Sequence, residues 1–254
     1  MFPPEALSDD GFLGGRLRIL QPRQGYRAAT DPVLLAAACP ARAGETALEL
    51  GCGAGVASLC LGHRVPGLAL TGLELQPAYA ALARDNAGGN GQALEVIEGD
   101  VAAPPAALRH RSFDHVIANP PWYPAGGGTP ASDAGRETGL REALPLAEWI
   151  DLAARRLKPG GYLTVIQLAE RLPDLLAACD RRLGSLDLLP LAPRAGRPAK
   201  RVLLRARKGG RGAFRLLAPL VLHEGAVHDG DRDSHSAWAE AVLRDGAALP
   251  FPAR

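Results

Sequence analysis

The segment Thr46-Ala47-Leu48-Glu49-Leu50-Gly51-Cys52-Gly53-Ala54-Gly55, followed at once by Val56-Ala57-Ser58-Leu59-Cys60-Leu61, decides how the rest of the chain is read. A short apolar run reaches an acidic residue, glycine then recurs at every second position, and an alanine- and leucine-rich stretch begins. Glycine at that density lets the backbone turn sharply and approach closely whatever lies in front of it. The pattern predicts a strand over Thr46–Leu50, a tight turn, and a helix over Val56–His63. Working outward, short runs rich in Val, Ile and Leu predict strands at Leu68–Glu74, Leu94–Glu98, Phe113–Ala118 and Tyr162–Gln167. Longer segments predict helices at Pro77–Asn90, with Pro77 in its first turn and Gly88-Gly89 as its stop, and at Leu146–Leu157. Lys158-Pro159-Gly160-Gly161 reads as a turn before the fifth strand. Strand and helix in alternation indicate an α/β fold, a mostly parallel sheet covered on both faces.

The flanks are less regular. Thr30-Asp31-Pro32 offers a capping side chain and a first-turn proline, so a short helix is expected before the first strand of the sheet, and Leu17–Gln21 reads as a strand or hairpin arm. Beyond the sheet, Pro173–Leu183 reads as a helix. Arg201–Arg207 and Phe214–Leu222 read as two strands joined by Lys208-Gly209-Gly210-Arg211-Gly212, a terminal antiparallel hairpin.

A chain of 254 residues suits one α/β domain with additions. Hydrophobic residues at 47% and charged residues at 22% are ordinary for a globular protein and too polar for a membrane span. The amino terminus, with acidic residues and prolines in MFPPEALSDDGF, lacks the basic patch and apolar stretch of an export signal, so the cytoplasm is expected. Cys39, Cys52, Cys60 and Cys179 form no Cys-x-x-Cys pair and have no histidine at ligand spacing; they read as buried thiols, and no metal is expected. The charge is uneven. Between Asp187 and Glu224 there is no acidic residue, while Arg194, Arg197, Lys200, Arg201, Arg205, Arg207, Lys208, Arg211 and Arg215 all fall there. Such a block suits phosphate neutralisation, or equally a solvated strand face.

Open α/β sheets bind ligands outside the carboxyl ends of their strands, and three candidate features coincide there. Gly51, Gly53 and Gly55 follow the first strand of the sheet. Glu74 ends the second, nineteen residues after Gly55, where a carboxylate could accept both hydroxyls of a ribose. Asp100 follows the third and could meet an adenine amino group. Each has a bland alternative, a tight turn or a solvated carboxylate, which the coincidence of all three weakens. A dinucleotide is the rival ligand, but its fingerprint is Gly-x-Gly-x-x-Gly, and here the third glycine falls one residue early.

These residues resemble the class I S-adenosylmethionine methyltransferases, whose first motif is an acidic residue followed by Gly-x-Gly-x-Gly. The resemblance implies a Rossmann-like fold with a mostly parallel seven-stranded sheet ending in the antiparallel hairpin. It implies S-adenosylmethionine as cofactor, with S-adenosylhomocysteine as product. Glu49, Gly51, Cys52, Gly53 and Gly55 would cradle its methionine part, Glu74 with Leu75 its ribose, and Asp100 with Val101 its adenine.

The fourth strand of the sheet, FDHVIA, runs into Asn119-Pro120-Pro121-Trp122 at the same edge. Proline cannot continue a central strand, so the chain turns there and presents Asn119 outward. An amino group conjugated to an aromatic ring or carbonyl is a poor nucleophile. An asparagine oxygen and the next backbone carbonyl can accept its two N–H bonds and aim its lone pair at a methyl donor. Trp122 can stack on a flat base. A rigid Pro-Pro turn with a packed tryptophan would be the merely structural reading. The tetrapeptide resembles the signature of methyltransferases acting on adenine N6, cytosine N4 or a glutamine side chain, which implies Asn119, Pro120, Pro121 and Trp122 as the catalytic set, with Asn119 also against the cofactor.

Over nearly the whole length the chain resembles the bacterial tRNA1(Val) adenine N6 methyltransferases. The residues that carry this are Gln21-Pro22 with Gly25-Tyr26-Arg27, Thr30-Asp31 before Leu34-Leu35, Asn86 with Asn90-Gly91, the Asn-Pro-Pro-Trp site, and Pro198-Ala199-Lys200-Arg201. The resemblance implies residues 1–40 as an arm and helix packed on the cofactor site, residues 41–254 as the methyltransferase domain, and tRNA as partner. Thr30 and Asp31 would lie against the cofactor. Tyr26, Arg27, Tyr123, Arg197, Lys200 and Arg201 would meet the substrate. A protein glutamine methyltransferase and a noncatalytic binding module are the alternatives. The glycine-rich stretch from Gly126 to Arg136 could close over substrate, and the tail from His223 to His235 matches no pattern.

Overall fold

The computed structural model describes residues 2–121, 144–225 and 234–252. An antiparallel hairpin, β1 (Leu7–Phe12) and β2 (Leu17–Pro22), precedes helix α1 (Thr30–Ala38). Then follow β3 (Thr46–Leu50), α2 (Val56–Arg64), β4 (Ala69–Glu74), α3 (Pro77–Gly89), β5 (Leu94–Glu98), the one-turn α4 (Ala106–Arg109) and β6 (Phe113–Ala118). After the undescribed segment come α5 (Leu146–Arg156), β7 (Leu157–Leu168), α6 (Leu172–Ala178), β8 (Leu183–Ala192), β9 (Arg201–Lys208), the two-residue strands β10 (Arg215–Leu216) and β11 (Leu220–Val221), and α7 (Ala237–Asp245).

The main sheet runs β10-β8-β9-β7-β6-β3-β4-β5, with β11 also on β8. From β7 to β5 the pairs are parallel, and β9 is antiparallel to both β7 and β8. Leaving aside the two short edge pieces, this is a seven-stranded, mostly parallel sheet with an antiparallel hairpin at one side, as the resemblance implied. Successive strand residues face opposite ways, and each face has its own core. Ile117 and Ile166 pack with Leu34, Leu59 and the arm residues Leu17 and Ile19, whereas Val116 and Val165 pack with Ile150, Leu157 and Leu175. The arm thus shares the core of α1 and α2.

Several expectations are corrected. The helix after β7 stops at Ala178, and Leu183–Ala192 is a strand that the sequence reading passed over. Its Pro190 disguises it, since proline cannot donate to a ladder. The edge beside it is broken accordingly: β10 lies opposite Asp187 and Leu188, β11 opposite Leu191 and Ala192. The terminal hairpin is therefore β8–β9, joined by the loop of residues 193–200, and Phe214–Leu222 is not β9's antiparallel partner. Residues 158–161 are a bulge within β7, with Leu157 opposite Phe113 and Tyr162 opposite His115. Thr30 is the first residue of α1 and caps nothing. Helix α7, in the carboxyl-terminal segment, was not anticipated. No described helix is long and apolar enough to cross a membrane. Cys39, Cys52 and Cys60 are buried and Cys179 is partly so, all as free thiols.

Candidate active site

Strands β3, β4, β5 and β6 end at one edge of the sheet, and the loops that follow them enclose a cavity of about 410 Å³. Glu49, Gly51, Cys52, Gly53, Glu74, Leu75, Asp100, Val101, Asn119 and Pro121 line it, with Tyr26 reaching in from the arm. The glycine turn is held from behind, because Gly51 and Cys52 both donate backbone N–H bonds to the Leu73 carbonyl, at 2.8 and 3.0 Å. Gly51 has φ +66°, and a Cβ there would stand 2.8 Å from the ring of Trp149. Gly55 serves packing instead: it caps α2 in the left-handed region, and a Cβ would press on Ala83 and Leu94 at 3.3 and 3.2 Å. It is absent from the wall.

The two glutamates brace the loop. Glu74 accepts the backbone N–H of Gly53 and of Gln76, one on each carboxylate oxygen, both at 2.8 Å. Burial raises its pKa while those bonds pull the other way. A carboxylate has about four lone-pair sites, so acceptor capacity remains for a ligand hydroxyl. Glu49, 5% exposed, accepts the Ser58 N–H at 2.9 Å and the Ser58 hydroxyl at 2.5 Å, which ties β3 to the first turn of α2. Asp100 accepts the Ala102 N–H at 2.9 Å.

Opposite the glycine turn, Asn119 donates from Nδ2 to the Tyr26 hydroxyl at 3.4 Å, and its Oδ1 is buried without a partner among the described residues. Burial, Asp31 and Glu49 raise the pKa of Tyr26, so its hydroxyl stays neutral. The arm is fastened to hold it there. Tyr79 donates to the Tyr26 carbonyl at 3.1 Å, and the buried Gln21 amide closes the loop by accepting from Ala28 N at 2.7 Å and donating to Asp10 at 2.8 Å.

Several expected site residues lie elsewhere. Thr30 and Asp31 are off the cavity wall, and Asp31 instead accepts from Arg201 Nε at 2.7 Å. A residue expected at the cofactor and one expected at the substrate thus bind each other. Arg27 is taken up by Asp10 and Ser8, each at 2.7 Å. Pro120 is buried between Asn119 and Pro121, which both line the cavity. Trp122, Tyr123 and the stretch from Gly126 to Arg136 lie outside the described residues. The cavity also has walls that sequence reasoning missed: Pro32, Gln76, Tyr79, Leu144 and Trp149. Tyr79 had a signal, lying in the first turn of the helix that follows Glu74. Trp149 had none, because only the packing of α5 brings it over Gly51.

The basic block divides across the molecule. Because β9 is antiparallel to β7, Arg201 pairs with Leu168 at the cavity edge and Arg207 with Tyr162 towards the opposite edge. The loop carrying Arg194, Arg197 and Lys200 is at the cavity edge, with Arg197 and Lys200 exposed. Arg207, Lys208 and Arg211 belong to the far edge, where Arg207 and Lys208 donate to the carbonyls of Gly160 and Leu157 at 3.0 and 2.6 Å. Arg205 covers the Phe251 ring at 3.8 Å, and Arg215 forms a twofold bond to Asp187.

A largely apolar cavity of this size, edged by buried carboxylates and close-approaching glycines, suits a nucleoside-bearing small molecule with a cationic centre. S-adenosylmethionine meets that description: its ribose and charged groups need acceptors, and its adenine needs apolar walls such as Leu75 and Val101. Comparison with known proteins agrees. Residues 29–179 match the model of the methyltransferase small domain, and the chain belongs to this family of S-adenosylmethionine-dependent methyltransferases. Among curated relatives, it is 30% identical to the tRNA1(Val) (adenine(37)-N6)-methyltransferase of Dickeya chrysanthemi, over 94% of this chain and 95% of that protein. It is 32% identical to the enzyme of the same name from Porphyromonas gingivalis, over 76% and 79%. Among solved structures, a predicted O-methyltransferase of Agrobacterium tumefaciens, Atu636, superposes with a TM-score of 0.68 at 28% identity, covering 86% of this chain and 97% of that one. The 16S rRNA N2 G1207 methyltransferase of T. thermophilus, with 19% identity, a TM-score of 0.55 and coverage of 80% and 50%, shares the fold.

Proposed function

We propose that this chain transfers a methyl group to the N6 amino group of an adenine in tRNA. The observation that carries the reading is the Oδ1 of Asn119, buried in the wall of the cofactor cavity and without a partner among the described residues. An asparagine oxygen in that state is costly unless a donor arrives, and an exocyclic amine brings two. One N–H goes to Asn119 Oδ1 and the other to the Pro120 carbonyl. The nitrogen lone pair is thereby freed from the ring and directed along the cavity. S-adenosylmethionine, when bound, supplies a methyl on a sulfonium sulfur that leaves as a neutral thioether. The new N–C bond forms as the S–C bond breaks, and the nitrogen then loses a proton to water. Tyr26, neutral and 3.4 Å from Asn119 Nδ2, accepts an N–H of the amide and leaves Oδ1 for the substrate. Glu49 and Glu74 face the donor's charged and ribose groups.

Adenine and tRNA are supported by the names of the curated relatives, which cover between 70% and 94% of the chain. A hydroxyl acceptor, which the name of the Agrobacterium protein implies for that protein, would call for a base at the acceptor, whereas Asn119 is an acceptor of hydrogen bonds that cannot take a proton. The exposed Arg197 and Lys200 at the cavity edge are the phosphate contacts of this reading, and Trp122 and Tyr123 its stacking surfaces. The same reading puts the enzyme in the cytoplasm, where tRNA is modified, and treats residues 1–40 as the arm that delivers Tyr26.

The test is transfer of labelled methyl to tRNA from cells lacking the protein, followed by nucleoside analysis. Labelled N6-methyladenosine is expected. Asn119→Ala should abolish transfer, by about a hundredfold or more, while still binding S-adenosylhomocysteine. Label found only on protein would replace the adenine reading with glutamine methylation.

A further inference from the structure

Strand β6 leaves the sheet through two prolines, and that creates a bonding problem. Neither Pro120 nor Pro121 can donate, and their carbonyls emerge beside β7 without a ladder to enter. One side chain answers both. Gln167 on β7, with 0% exposure, donates from Nε2 to the Pro120 carbonyl at 3.3 Å and to the Pro121 carbonyl at 3.2 Å. Its Oε1 accepts the backbone N–H of Leu168 at 2.7 Å. That last bond fixes the amide's orientation, since the flipped form would set an oxygen against two carbonyls and a donor against a donor. Of the common side chains only a primary amide donates twice and accepts once. Asparagine would fall one methylene short, and glutamate would face two carbonyls with an anion.

We infer that Gln167 is a positioning residue for methyl transfer, holding the Pro120 carbonyl in the direction from which it accepts the second N–H of the target amine. This rests on the transfer reading above. The carbonyl has two lone pairs, so Gln167 occupies one and the substrate the other. The amide also polarises that carbonyl through its own hydrogen bond, without touching the reacting atoms. Its effect belongs to kcat: a misdirected acceptor leaves the donor cavity and the RNA surface intact but spoils the aim of the lone pair.

The test uses Gln167→Met and Gln167→Glu beside the wild type. Gln167→Met is expected to lower kcat by about 10- to 100-fold, with KM for RNA and affinity for S-adenosylhomocysteine within a factor of about two of wild type. In Gln167→Glu, the ratio of its rate to the wild-type rate is expected to rise as pH falls, because a protonated carboxyl regains one donor and the anion has none. Pro121-Trp122 is the one Pro-Trp pair in the chain, so labelling proline with carbonyl ¹³C and tryptophan with ¹⁵N gives a single correlation that reads the Pro121 carbonyl directly. Its carbonyl shift should move in Gln167→Met. An active wild type with an equally active Gln167→Met overturns the inference, as does an unmoved carbonyl shift. A wild type that methylates no RNA overturns the transfer reading itself, which separates the two failures.

Discussion

Glu49 shows how one buried carboxyl group can carry opposing demands. Burial pushes its pKa up to about 8, and the two hydrogen bonds from Ser58 pull against that. A group whose folded pKa lies above its unfolded value binds a proton more tightly in the native state. Its contribution to stability is complete below the ordinary value of 4.5 and is lost as pH rises through about 8. Glu49→Gln keeps an oxygen for Ser58 and never ionises. Unfolding curves at a series of pH values should show the variant gaining on wild type between about pH 5 and pH 8, by on the order of a few kcal/mol. Parallel curves would locate the titration elsewhere. Above about pH 8, where the wild-type group is ionised, the same substitution removes an anion from the cavity wall, so affinity for the cationic donor should there fall more than affinity for S-adenosylhomocysteine.

Helix α3 and strand β2 illustrate how one element positions another. Asn86 accepts from Leu20 N at 2.8 Å and donates to Leu20 O at 3.0 Å, and Asn90, one turn on, accepts from Arg18 N at 2.9 Å and donates to Arg18 O at 2.7 Å. Two amides spaced four residues along a helix thus match two residues spaced two apart on a strand, giving β2 a substitute for a neighbouring strand. Asn86 also donates to the Ala54 carbonyl at 3.0 Å, so the arm and the glycine turn share one buried side chain. Asn86→Ala would strand these groups. It should cost about 2–4 kcal/mol of stability and, in hydrogen-exchange measurements, release the β1–β2 hairpin before the sheet. Hairpin protection equal to wild type would show that the apolar contacts of Leu17 and Ile19 hold the arm by themselves.

For the whole molecule, sheet topology decides what the basic block can do. Of the nine cations clustered in sequence, Arg194, Arg197, Lys200 and Arg201 go to the cavity edge and Arg207, Lys208 and Arg211 to the opposite edge through the reversal of β9, while Arg205 and Arg215 are held between them by Phe251 and Asp187. If the cavity edge meets RNA, Arg197→Glu with Lys200→Glu should weaken tRNA binding and flatten its salt dependence by about one unit of log–log slope per lost phosphate contact. Arg211→Glu, a single charge reversal at the far edge, should leave both unchanged. Equal losses in filter-binding titrations would mean that RNA wraps both edges.

What the sequence by itself determined is local. The strand boundaries of β3, β5 and β6 follow from short apolar runs, the turns from glycine and proline, and the ligand edge from the fact that parallel strands all end on one side. Glu49, Glu74, Asp100 and Asn119 were legible for that reason, each being the last residue of a strand or within two residues of its end. What only the tertiary structure decided is which distant groups meet. Arg201 finds Asp31 across 170 positions, Tyr26 finds Asn119 across 93, and Trp149 closes over Gly51. Strand β8 stayed hidden because Pro190 violates the local rule for a strand, and only its pairing with β9 across the loop of residues 193–200 reveals it. Backbone preference acts over a few residues and can be read along the chain; partner choice depends on strand order and on which face each core fills, and exists only once the sheet is assembled.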